Sequence, residues 1–167
     1  MKTLLFLFTL TVSITNLQAT DKYTAAMQKN IESIYQAETL EDYQTTVNSF
    51  ERIAQGEKTK WEPYYYASFG YIMMSMNSQD NTQKDSYLDL AVKSLDQAKK
   101  LKPEDSEITA LEGFIVMMRV AADPASRGAQ LSGFSMQLFG KALALDPNNP
   151  RALALLAQMQ YGSAQFF

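Results

Sequence analysis

The chain has 167 residues, of which 46% are hydrophobic and 20% charged, so it can form one folded domain with a sizeable core. It contains no cysteine or histidine, which excludes disulfides, structural zinc sites and nucleophile systems that need a histidine base. The net charge of −3 and the lack of a basic cluster argue against nucleic acid as a partner. We find no catalytic motif, so composition favours a binding protein over an enzyme and predicts no metal or cofactor.

Residues 1–19 predict a secretory signal peptide. Lys2 supplies a positive start, an apolar run follows from Leu4 to Ile14, and Ala19 offers a small residue at the cleavage point. The apolar run is too short to span a bilayer comfortably, which leaves an uncleaved membrane anchor as the alternative. We therefore expect an exported protein with no transmembrane segment after cleavage.

The rest of the chain predicts an all-α fold of about seven helices. Apolar residues recur at spacings of three and four, and no segment alternates with period two for long enough to indicate a strand. Thr39 with Asp42 has the pattern of a capping box, and Pro63 suits the first turn of a helix. The helices are predicted to form hairpins at about 22–56, 63–103 and 105–147, with a final helix from 150.

Two polar or glycine-containing segments are predicted to be long turns within these hairpins. The first runs from Asn77 to Ser86, where Ser86 is expected to cap the fourth helix. The second follows Asp123-Pro124 and contains Gly128 and Gly133.

A pattern repeats with an offset of 44 residues. In each copy a large apolar residue is followed by alanine three positions later, leucine three further on and proline two after that. A small residue follows each proline by ten positions, and Gly70 and Gly113 both fall inside helical stripes. The residues of the pattern are Gly70, Ala91, Leu95, Ala98, Pro103, Gly113, Phe139, Ala142, Pro147 and Ala157.

This pattern resembles the tetratricopeptide repeat (TPR), in which stacked pairs of helices A and B form an α-solenoid. The resemblance implies that a glycine or alanine of helix A lies where helix B packs closest. The family period is 34 residues, so the extra ten per unit are expected in lengthened turns between helix A and helix B. A generic helical bundle is the alternative fold, because apolar stripes alone do not separate the two.

The resemblance also implies a partner-binding hollow lined by the A helices. We expect it to hold a segment of a partner protein, since aromatic and methionine side chains give large, adaptable contact areas. The alternatives are that these residues are core, that they enclose a small hydrophobic ligand, or that the chain docks into a larger complex. The residues implied are Tyr64, Tyr71, Met74, Glu107, Phe114, Met117, Arg151, Gln158 and Tyr161.

A signal peptide followed by a few loose repeats resembles small envelope proteins of Gram-negative, Bacteroidota-type bacteria. This implies the periplasm or cell envelope as the location. The chain finishes on Phe166-Phe167 without the polar cap usual for a solenoid. Either the sequence is part of a longer protein, or the last helix is the cap and the phenylalanines pack against it or a partner.

Overall fold

The computed structural model describes residues 22–164, and within that range every regular element is an α-helix. The predicted signal peptide and Phe166-Phe167 lie outside the described residues. The helices are α1 (22–36), α2 (Leu40–Gly56), α3 (Glu62–Asn77), α4 (Asn81–Leu101), α5 (Ser106–Ala122), α6 (Pro124–Leu145) and α7 (Pro150–Ala164). None of these helices is long and apolar enough to cross a membrane.

The helices stack as successive antiparallel hairpins. We call α1, α3, α5 and α7 the A helices and α2, α4 and α6 the B helices. Helix α3 packs on both α2 and α4, α5 packs on both α4 and α6, and α7 packs on α5 and α6. Neighbouring A helices contact each other, for example α3 and α5. The B helices α2 and α4 do not contact each other. This arrangement confirms the predicted all-α, TPR-like fold.

Short polar caps start most of these helices. Thr39 and Asp42 form the predicted capping box at the start of α2. The carboxylates of Asp80, Asp105 and Asp123 each accept a backbone N–H in the first turn of the helix that follows. These bonds satisfy amide groups that have no partner within their own helix.

The prediction of two long turns is wrong, because only residues 78–80 and Asp123 lie outside the helices in these segments. Helix α4 begins at Asn81, where Asp80 accepts from the amides of Thr82 and Gln83, and Ser86 lies inside the helix. Helix α6 begins at Pro124 and includes Gly128 and Gly133. The extra ten residues of each unit therefore lengthen helix B, and the turn between helix A and helix B stays short.

The two lengthened ends are joined by ion pairs. Both terminal nitrogens of Arg127, at the start of α6, lie 2.7 Å from the carboxylate oxygens of Asp85, at the start of α4. Arg119 of α5 pairs with Asp89 at 2.5 Å and approaches Asp85 at 3.6 Å. These contacts fix the added helical turns to each other.

One continuous core joins the first five helices. It extends from Met27 in α1 to Ile115 in α5, with Phe50 and Ile72 fully buried. The repeat-pattern residues Ala91, Leu95, Ala98, Phe139 and Ala142 are buried in the B helices. Pro103 and Pro147 lie in exposed turns after helix B, and Ala157 is exposed on α7.

Gly70 and Gly113 lie where helices approach closely. A Cβ atom on Gly113 would be 2.7 Å from Phe139, in the B helix of the same hairpin, as the repeat pattern predicts. A Cβ atom on Gly70 would be 2.4 Å from Val47 and 2.8 Å from Ile34, in the preceding hairpin. Both glycines are therefore required by packing, but Gly70 faces a different neighbour from the one predicted.

Candidate functional site

Three residues predicted to line an open hollow are buried in the core. Tyr71, Met74 and Phe114 are only 6%, 2% and 7% exposed. Helix α3 is covered on several sides, by α2, α4 and α5, so most of its apolar residues pack inward. The expectation that these three side chains form an accessible surface is therefore wrong, and the alternative that they are core is correct for them.

Tyr64 and Tyr71 face the B helices. The Tyr71 hydroxyl donates to Glu51 Oε1 of α2 at 2.8 Å, and the Tyr64 hydroxyl donates to the Ala54 carbonyl oxygen at 3.4 Å. Both side chains line a cleft between α2 and α4. The repeat register thus assigned the wrong side of α3 to the hollow.

Glu107 and Arg151, which were both expected to line the hollow, pair with each other although they belong to different repeat units. Arg151 Nε lies 3.4 Å from Glu107 Oε2. The buried Tyr65 hydroxyl donates to the same carboxylate oxygen at 2.6 Å, and Asn149 Nδ2 donates to Oε1 at 2.9 Å. Helices α3, α5 and α7 therefore meet at one carboxylate.

Aromatic rings surround the Arg151 guanidinium. Its Cζ lies 5.0 Å from the ring centroid of Phe69 and 5.9 Å from that of Tyr65, distances that permit cation–π attraction. On Phe69 the ring of Tyr35 is tilted, with 5.7 Å between centroids. Tyr35 is 62% exposed, so this cluster extends from the core to the surface.

The charges of this cluster are held by hydrogen bonds. Burial, opposed by the nearby Arg151 charge and reinforced by the hydrogen bond to Glu107, raises the pKa of Tyr65 well above its usual value. Tyr65 therefore remains a neutral donor at physiological pH. The Arg151 guanidinium bonds Glu107 through Nε and also interacts with the Tyr65 side chain. A guanidinium has more N–H donors than these two partners use, so Arg151 can still donate to an anionic ligand.

Apolar side chains continue this surface away from Arg151. Met73 and Met76 follow Phe69 at helical spacing on α3, and Met76 is 48% exposed. Met118 follows Glu107 on the same side of α5 and is partly buried. We call this surface the A-helix face and define it by Tyr35, Met73, Met76, Glu107, Met118 and Arg151, with the buried ring of Phe69 beneath it.

The remaining predicted residues border this face. Met117 is partly buried against the main core. Gln158 and Tyr161 are exposed on α7, Tyr161 by 70%, and Gln158 is on the same side of the helix as Arg151. Sequence reasoning missed Tyr35, Phe69 and Met76. The helical spacing of Phe69 and Met76, each two residues from a predicted position on α3, was the signal that could have found them. Among the described residues no cluster of three or more acidic side chains is placed to hold a metal ion.

The comparison with solved structures supports this helical fold. No protein-family model matches the chain, and no curated protein is significantly similar. Among solved structures, the chain is similar to the HusA haemophore from Porphyromonas gingivalis, a member of the Bacteroidota. The identity is 28% and the TM-score 0.75, over 86% of this chain and 71% of that one. A thermophilic TPR protein of Thermus thermophilus matches at 12% identity and TM-score 0.44, over 88% of this chain and 95% of that one.

Proposed function

We propose that this protein is a non-enzymatic carrier that binds haem, or a related flat tetrapyrrole, on the A-helix face. The observation that carries the proposal is the aromatic and methionine surface around Arg151, in a chain similar to a haemophore. This develops the small-ligand alternative recognised in the sequence. Export to the cell envelope, by the predicted signal peptide, would bring the protein to its ligand, and intact mass of the exported chain tests that step.

The chemistry of the A-helix face suits a planar apolar ligand with carboxylate groups. The exposed ring of Tyr35 offers a flat surface, and methionine side chains adapt to the shape of what they contact. The Arg151 guanidinium has more N–H donors than Glu107 and Tyr65 use, so it can donate to a carboxylate at the ligand's edge. Because the sequence has no histidine, an iron centre could be contacted only by groups such as a tyrosine hydroxyl or a methionine sulfur.

A haem titration of the exported chain tests the proposal. Soret absorbance and tyrosine fluorescence should change saturably at a defined stoichiometry. Tyr35→Ala and Met76→Ala remove exposed side chains, so each should leave the fold intact and weaken binding by about tenfold or less. Arg151→Gln should weaken the binding of haem more than it weakens the binding of an ester derivative that lacks the free carboxylates.

Leu153→Ala is the matched control for this titration. Leu153 is 49% exposed and lies two residues from Arg151, on nearly the opposite side of α7. Its substitution should not change haem affinity. Equal affinity in the wild type and every variant, or no saturable signal at all, would show that the A-helix face is not a tetrapyrrole site.

Binding of a partner protein, the role first implied by the repeat resemblance, is the second candidate. The TPR-like fold is compatible with it, as it is with docking into a larger envelope complex. The specific observation in its favour is the cleft between α2 and α4, which contains Tyr64 and Tyr71.

A further inference from the structure

A cleft separates the B helices α2 and α4. Its volume is about 250 Å³, and α3 forms its floor. Ala54 and Ala67 supply apolar surface, together with Leu90, which is 39% exposed on α4. Tyr71 closes one end, where its hydroxyl is fixed by the 2.8 Å bond to Glu51. The cleft is smaller than the usual pocket for a drug-sized molecule, and its size suits one large apolar side chain.

The polar groups of this cleft are mostly unused. Glu51, on the α2 wall, is engaged only by Tyr71 within residues 22–164. The same cleft is lined by Lys93, Gln55 and Gln97. None of their side chains has a hydrogen bond or ion pair in the described part of the chain. The cleft thus offers one acidic wall, one basic wall and two amides that can bond a peptide backbone.

In a neighbouring groove, most charged side chains are paired with each other or with a nearby residue. The groove lies between α4 and α5, has a volume of about 110 Å³, and includes Lys99, Glu112 and Arg119. Lys99 pairs with Glu112 at 2.7 Å, and Arg119 pairs with Asp89 at 2.5 Å. The protein pairs these three charges internally and leaves Asp96 of this groove without an ion pair among the described residues. In the cleft, by contrast, Lys93 is unpaired and Glu51 is bonded only by Tyr71 within residues 22–164.

We propose that the cleft between α2 and α4 binds a segment of a partner polypeptide. One large apolar side chain of the partner inserts beside Leu90 and Tyr71. A basic residue on one side of it pairs with Glu51, and an acidic residue on the other pairs with Lys93. This site is separate from the A-helix face, since Tyr71 and Phe69 are two residues apart and lie on nearly opposite sides of α3.

Selection from a library of random short peptides tests this inference. The exported chain is presented in parallel as wild type, Leu90→Glu, Val92→Glu and Lys93→Glu. Val92 is the matched control, because it is similarly exposed at 37% but lies on the other side of α4, in the neighbouring groove. Wild type and Val92→Glu should enrich peptides with one large apolar residue between a basic and an acidic residue.

The two cleft variants should change this outcome in different ways. Leu90→Glu should abolish the enrichment. Lys93→Glu should enrich peptides that carry a basic residue where the wild type selects an acidic one. A synthetic peptide of the selected sequence should bind with the same affinity in the presence and absence of haem. The inference is overturned if nothing is enriched, if Leu90→Glu selects the same peptides as wild type, or if haem competes with the peptide.

Discussion

Gly70 and Gly113 hold equivalent positions in successive A helices, but different neighbours exclude a side chain from each. Gly113 faces Phe139 of its own hairpin, while Gly70 faces Val47 and Ile34 of the preceding one. Glycine inside a helix costs about 1 kcal/mol relative to alanine, so only close packing explains it at these sites. Gly140 is different, since a Cβ there would meet nothing within 4 Å.

Gly70→Ala should destabilise the protein although alanine favours helix. The added Cβ would force Val47 to move, and its branched side chain has few alternative rotamers. Overpacking of this kind costs about 1–3 kcal/mol, from which about 1 kcal/mol of helix propensity is recovered. Urea denaturation should therefore show a fall of up to about 2 kcal/mol in the free energy of unfolding.

Gly140→Ala is the control for this substitution and should raise the free energy of unfolding by up to about 1 kcal/mol. Adding Val47→Ala should partly relieve Gly70→Ala, so the double variant should be more stable than the sum of the single changes. A Gly70→Ala variant more stable than wild type would mean that α2 and α3 can move apart at no cost.

At the scale of elements, the sequence predicted the number and order of helices but not the length of helix B. The residues from Asn81 to Asp85 are polar, so no apolar stripe marks them as helical. Asp123-Pro124 has the same cap-then-proline order that correctly placed the start of α7 at Asn149-Pro150. It was interpreted as the end of the fifth helix, with a looser segment containing Gly128 and Gly133 after it, yet both glycines are helical.

The binding surface was harder to predict than the helices. Helix α3 is apolar around most of its circumference, so periodicity does not distinguish its sides. The register was taken from the repeat and placed Tyr71 in the hollow, whereas packing against α2 and α4 turned it toward the cleft. On α5 and α7 the same register placed Glu107 and Arg151 in the hollow, and the structure brings these two side chains into contact with each other.

The pair Asp85–Arg127 should make stability depend on pH. The hydrogen bonds from Arg127, opposed by partial burial, lower the pKa of Asp85 below its usual value. Its contribution is therefore complete above the unfolded-state pKa of about 4 and is lost as the pH falls through the lower folded value. Asp85→Asn should be less stable than wild type at neutral pH, by the modest amount typical of a partly exposed pair.

Chemical denaturation from neutral pH to about pH 3 measures this difference. The gap between wild type and Asp85→Asn should narrow as the medium becomes acidic. Asp96→Asn, on the same helix and without an ion pair in residues 22–164, should track the wild type throughout. A gap that is constant over the whole range would show that the ionised pair does not hold α4 to α6.

For the whole molecule, stability is distributed unevenly along the stack. The main core joins α1 to α5. Helix α7 adds Leu155 to the edge of that core. It is otherwise held by a small cluster of Ala110, Ala142 and Ala152 and by the polar group around Asn149, which is 1% exposed. Asn149 donates to Ser106 Oγ at 3.0 Å and to Glu107, and it caps α7 by accepting from the Ala152 amide at 2.8 Å.

Because little apolar surface holds α7, we expect it to open before the rest of the stack. Asn149→Ala removes the cap and the bond to Glu107, at a cost of about 1–2 kcal/mol. Amide exchange in α7 should then accelerate by about five- to thirtyfold, while exchange in α3 and α4 stays unchanged. Hydrogen exchange with peptide-level mass spectrometry resolves the two regions.

Asn148→Ala is the control for this experiment, since Asn148 is exposed in the same turn and should not affect exchange in α7. The proposed ligand of the A-helix face would contact Arg151, so haem should slow exchange in α7 more than elsewhere, and should do so less in Arg151→Gln. Uniform acceleration across all helices in Asn149→Ala would instead mean that the stack unfolds as one cooperative unit. In that case α7 could not open separately, and Arg151 would be a fixed part of the binding surface.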